Sequence, residues 1–91
     1  MSATAIFLNI DDEHVVPVLQ EATRGLDGAQ GEMVLDFSSV RRINSRALRA
    51  LEDFTRVANE KAVKIILRGV SIDVYKALKL VKLTQRCTFV D

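Results

Sequence analysis

A chain of 91 residues has room for one hydrophobic core and therefore one domain, residues 1–91. Apolar residues are 48% and charged residues 27% of it, the balance of a soluble globular protein, and no apolar run approaches the roughly 20 residues of a membrane helix. The formal charge of +1 hides an asymmetry: one Arg against seven acids through Val40, then twelve basic residues against five acids from Arg41 onward.

Such polarity can mark a face for nucleic acid. Here the basic residues are spread over several elements, one Tyr accompanies them, and no nucleic-acid motif is present, so a solvated mixed-charge surface is expected instead. The N-terminal stretch MSATAIFLNIDDEH has no basic n-region, and no signal peptide is expected. Cys87 is the single cysteine, without a disulfide or metal-ligand companion, and apolar neighbours Phe89 and Val90 predict a buried structural thiol. These features point to a cytoplasmic protein.

Thr4 to Ile10 carries Ala5, Ile6, Phe7 and Leu8, too short an apolar run for a lone helix, and reads as a strand. Asp11 and Asp12 supply turn and helix-start chemistry. Glu13 to Leu26 places Val15, Val18 or Leu19, Ala22 and Leu26 on one face, with Pro17 in the first turn, where its missing N–H costs little. Gly25, Gly28 and Gly31, with Asp27 and Gln30, form the exit loop. Met33 to Phe37 is a second strand, and Ser38-Ser39 break its pattern. After Val40 to Ile43, Asn44-Ser45 stand where an N-cap belongs, just ahead of Leu48, Leu51, Phe54 and Ala58 at helical spacing. Asn59-Glu60-Lys61 closes that helix with a polar turn. Val63 to Val70 is a third strand, ended by Gly69. Ser71 caps a third helix, with Asp73 in its first turn, an apolar stripe of Val74, Ala77, Leu78 and Val81, and Lys76, Lys79 and Lys82 opposite. Thr88 to Val90 is a last short strand. Alternating strands and helices of these lengths predict an α/β fold with a largely parallel four-stranded sheet.

The stretch Leu35-Asp36-Phe37, a short loop, then Asn44-Ser45-Arg46-Ala47-Leu48 resembles the signature of the STAS domain, the anti-sigma factor antagonist family. The likeness continues through Val63 to Val70 and Ser71-Ile72-Asp73-Val74-Tyr75. It implies a STAS-like fold, a mixed and largely parallel sheet with helices, here lacking the family's usual extra N-terminal strand and C-terminal helix. That trimming would leave an edge or face with less cover than usual, consistent with a homodimer or permanent partner and equally with a small monomer.

No active site is legible. The one histidine, His14, reads as an exposed first-turn residue; the glycines are scattered singly; Ser38 and Ser39 have no nucleophile-elbow context. The chain is expected not to be an enzyme and to need no cofactor or metal. Ser45 is the exception in kind. The resemblance places it at the family's phosphoacceptor, and a phosphate at a helix N-terminus would face free amides and the positive dipole end. A plain capping role is the alternative.

Two positions depart from the family pattern: Asn44 replaces an Asp, and Ala47 replaces a Gly. Arg41, Arg42, Arg46 and Arg49 flank the site, able to meet a phosphate or an acidic partner. The resemblance implies a binding surface of Ser38, Ser39, Asn44, Arg46, Ala47 and Arg49. Its partner would be an anti-sigma factor and serine kinase of histidine-kinase-like ATPase fold, which itself binds the ATP. The alternative is an unphosphorylated STAS subunit of a larger assembly, such as a lipid-transporter ATPase complex.

Overall fold

The computed structural model describes residues 6–26 and 31–90. Along the chain these form β1 (Ile6–Asp11), α1 (Val15–Gly25), β2 (Glu32–Ser39), α2 (Ser45–Glu60), β3 (Lys64–Arg68), α3 (Ile72–Leu80), a 3₁₀ turn (Leu83–Gln85) and β4 (Thr88–Val90). The sheet order is β1-β2-β3-β4, and all three pairings are parallel. Each predicted strand and helix is present. The N-terminal residues Thr4 and Ala5 and the loop residues Asp27, Gly28 and Gln30 lie outside the described residues.

The boundaries differ where local chemistry was underestimated. Asn59 and Glu60 continue α2, and the chain turns only at Ala62, which adopts a left-handed φ of 58°. The third strand is shorter than Val63 to Val70, because Gly69 turns the backbone at φ 68°. α1 starts at Val15 behind His14, which makes no side-chain cap. Asp11 shapes that turn: its carboxylate accepts the Glu13 N–H at 3.0 Å and lies 2.7 Å from the His14 Nδ1. Pro17 is the third helical residue, among the first-turn positions whose N–H has no intrahelical acceptor.

Register explains the burial. β1 and β2 pair Leu8 with Leu35, β2 and β3 pair Met33 with Ile65 and Leu35 with Leu67, and β3 and β4 pair Leu67 with Phe89. Side chains alternate along a strand, so these residues share one face. On it Met33, Leu35, Phe37, Ile65 and Leu67 are buried in one cluster with Leu19 and Ala22 of α1, Leu51 and Phe54 of α2, and Val74 and Leu78 of α3. Sequential parallel strands joined by right-handed crossovers send every helix over the same face. α1 and α2 pack against each other there, and Tyr75 of α3 meets Phe89 edge-to-face at 5.3 Å. The opposite face is different: Phe7 and Val90 are exposed, while Val34 and Ile66 are partly exposed.

Candidate functional site

The loops that leave β1, β2 and β3 emerge from the same end of the parallel sheet, where α/β folds commonly place their sites. Local hydrogen bonds set the β2 exit. The Asp36 carboxylate accepts from the Ser38 N–H at 2.9 Å and from the Ser38 hydroxyl. These bonds, the Ser38 hydroxyl first and its N–H second, hold the Asp36 carboxyl below its usual value, with the Arg68 charge adding to them. The Val40 N–H donates to the Phe37 carbonyl at 2.9 Å, and the Val40 side chain is buried.

Two contacts from distant sequence then clamp Arg41. Its N–H donates to the Asp12 carboxylate at 2.7 Å, and its carbonyl accepts from the Ser71 hydroxyl at 3.1 Å. Ser71 also caps α3, accepting from the Val74 N–H at 3.2 Å. Gly69 closes in from the same side: a Cβ built on it would stand 2.8 Å from the Ser38 Cβ. The β2–α2 connection is thus tied to the loops on both sides of it.

That connection delivers Asn44 and Ser45. Asn44 alone is the cap, its side-chain oxygen accepting the Ala47 N–H at 2.8 Å from an extended backbone. Ala47 is buried and begins the apolar stripe that continues through Leu51, Phe54 and Ala58. Ser45 is the first residue of α2, exposed, and its hydroxyl makes no hydrogen bond among the described residues. Capping and the free hydroxyl therefore fall on two different residues.

Ser38, Ser39, Asn44, Arg46 and Arg49 are all exposed, whereas the Ala47 side chain faces the core and leaves only backbone and a small contour at the surface. Arg46 borders two grooves. One lies between the starts of α1 and α2, lined also by Asp12, Glu13, Pro17 and Arg42. The other runs between the two helices, with Val16, Gln20, Arg49 and Asp53. Among the described residues none of Arg41, Arg42, Arg46 and Arg49 forms an ion pair. Sequence reasoning missed Asp12, Ser71 and Gly69 as the residues that position this site. Their partners are 29 to 31 positions away, so no local pattern announces them.

The described residues thus form a one-sided α/β sheet with a solvent-facing hydroxyl at the start of its second helix. The STAS domain family model matches residues 8–90, and the chain belongs to that family. Two solved structures share the fold. The STAS domain of a SulP transporter from Vibrio cholerae superposes with a TM-score of 0.79 at 13% identity, over 99% of this chain and 76% of that one. A Thermotoga maritima protein assigned as an anti-sigma factor antagonist gives a TM-score of 0.72 at 19% identity, over 96% of this chain and 73% of that one. No curated protein matches the chain.

Proposed function

We propose that this STAS domain works by reversible protein–protein binding as an anti-sigma factor antagonist, with Ser45 as a phosphorylatable switch. The observation that carries the reading is the Ser45 hydroxyl, exposed on the first residue of a 16-residue helix and making no hydrogen bond among the described residues. The partner in this reading is an anti-sigma factor and serine kinase of histidine-kinase-like ATPase fold, which brings its own ATP. It meets Ser38, Ser39, Asn44, Arg46 and Arg49, with Ala47 keeping the approach low.

The electrostatics suit a surface switch. A phosphate on Ser45 brings close to two negative charges to the positive end of the α2 dipole. Arg49 follows four residues later on the same helical face, within reach of that charge. Phosphorylation would then leave the fold intact and offset part of the positive charge of Arg41, Arg42, Arg46 and Arg49 that a partner sees. One observation favours a second reading. Asn44 is uncharged and its oxygen is engaged by the Ala47 N–H, so position 44 offers no carboxylate beside Ser45 to orient a kinase. In that case the same surface serves a constitutive subunit, unphosphorylated, of an assembly such as a lipid-transporter ATPase.

An affinity pull-down from native lysate with wild type, Ser45→Ala and Ser45→Asp separates the two. The switch predicts a kinase-like partner held by wild type and Ser45→Ala, lost with Ser45→Asp, and phosphate mapped to Ser45. Equal capture of one partner by all three proteins, with no phosphate at Ser45, would refute the switch and leave the subunit reading.

A further inference from the structure

The face of the sheet opposite the helices has an order that the fold does not require. Three rows cross it. The first is Glu32 beside Lys64; the second is Phe7, Val34, Ile66 and Thr88; the third is Asn9, Asp36, Arg68 and Val90. Phe7 is 50% and Val90 44% exposed, Glu32, Lys64 and Arg68 are exposed, and among the described residues no helix covers this face. The charges are sorted by strand: both acids stand on β2 and both bases on β3, with an apolar residue between each pair.

Of the two face-to-face orientations that keep the strands of both copies aligned, this arrangement is self-complementary in one. Two copies packed face to face are related by a two-fold axis lying in the interface. An axis parallel to the strands, over the gap between β2 and β3, lays β2 of one copy on β3 of the other and preserves the level along the strands. Glu32 then meets the second copy's Lys64, Val34 its Ile66, and Asp36 its Arg68. β1 lies over β4, so Phe7 and Val90 are also covered. An axis across the strands would instead set Glu32 against Asp36 and Lys64 against Arg68, all like charges.

We propose that the open face of the sheet binds a second copy of this chain, in the orientation that puts β2 on β3. Aligned sheets of this kind pack about 10 Å apart with strand directions within about 30°. Four strands spaced about 4.8 Å, from five residues in β3 to three in β4 at about 3.3 Å each, make a footprint of about 250 Å². Allowing for side-chain relief, two such faces bury on the order of 1,000 Å², near the lower limit for a specific interface. The dimer is therefore weak and salt-sensitive, dissociating on dilution. It leaves the Ser45 end of the molecule free and does not depend on the role of that residue.

Sedimentation equilibrium from about 10 µM to 1 mM tests the proposal, with circular dichroism melts confirming that each variant folds. Wild type is expected to rise toward twice the mass of one chain, and to rise less in 0.5 M salt. The variant Lys64→Glu/Arg68→Glu, with like charges on both strands, should remain monomeric. Adding Glu32→Lys and Asp36→Lys to it exchanges the charges of β2 and β3 and should restore dimerisation. Wild type that stays monomeric throughout overturns the proposal. So does a dimer indifferent to the double substitution, which would place the contact elsewhere, or a folded four-substitution variant that fails to associate.

Discussion

The approach of Gly69 to Ser38 can be tested with two alanines. At Gly69 the backbone has φ 68°, and a Cβ would meet the Ser38 Cβ at 2.8 Å, its Cα at 3.1 Å and its N at 3.3 Å. A left-handed conformation costs an alanine roughly 1–2 kcal/mol. Crowding backbone atoms that cannot swing away adds about 1–3 kcal/mol. Gly69→Ala should therefore lose about 2–5 kcal/mol, out of about 5–14 kcal/mol for a domain of this size. With about 4–8 °C of melting temperature per kcal/mol, the fall is on the order of 10 °C or more. Gly25 is the opposite case: it ends α1 at an ordinary φ, with nothing within 4 Å of a built Cβ. Gly25→Ala should stabilise by about 0.4–1 kcal/mol, by reducing the freedom of the unfolded chain. Thermal and urea melts of both variants measure the contrast. A thermodynamic cycle with Ser38→Gly isolates the contact, since Gly69→Ala should cost less once the Ser38 Cβ is gone. Gly69→Ala melting within a degree or two of wild type, or costing the same in the Ser38→Gly background, would refute the reasoning.

Three further outcomes are expected. Asn44→Ala removes the α2 cap and should cost about 1 kcal/mol, whereas Asn44→Asp keeps the acceptor and adds a charge favourable to the dipole; urea melts at low salt check the order of the three proteins. Asp36 is held below its usual value of 3.8 by the Ser38 hydroxyl and N–H and by Arg68, so its stabilising contribution is complete above that value and is lost as pH falls through the lower folded one. Stability measured from about pH 6 to pH 2 should fall less steeply at the acid end in Asp36→Asn than in wild type, and parallel profiles would count against the Ser38 interaction. Burial pushes the Cys87 thiol up to about 11, against a slight opposing pull from Arg86, so alkylation at pH 8 should run about two orders of magnitude slower than for a free thiol. Unfolding the chain in urea should remove that protection.

The elements were legible because their signals are local. The spacing of Leu48, Leu51, Phe54 and Ala58 identified α2, and the compact apolar runs around Leu35 and Ile65 identified two strands. Ser71 announced itself as a cap by its place ahead of Asp73 and Val74, and the cap is there. Asn44 and Ser45 were harder to separate. Both residue types cap helices, and only the bond from the Ala47 N–H assigns the cap to Asn44 and leaves Ser45 free. Ala62 escaped notice because alanine gives no warning of a left-handed turn, and the short 3₁₀ turn at Leu83–Gln85 has too few residues for a period.

What the sequence determined by itself was the alternation of strands and helices, the face each helix buries, and the family to which the central motif points. Those properties follow from periodicity and capping within a few residues of each position. The tertiary structure alone decided how Asp12 and Ser71 clamp the Arg41 backbone, why Gly69 must lack a side chain, and which strands are neighbours. It also sorted Glu32 and Asp36 against Lys64 and Arg68 across one open face. The physical reason is register: residues some 30 positions apart become neighbours only when parallel strands align, and the hydrogen bonds that align them carry no signature of their own in the order of side chains.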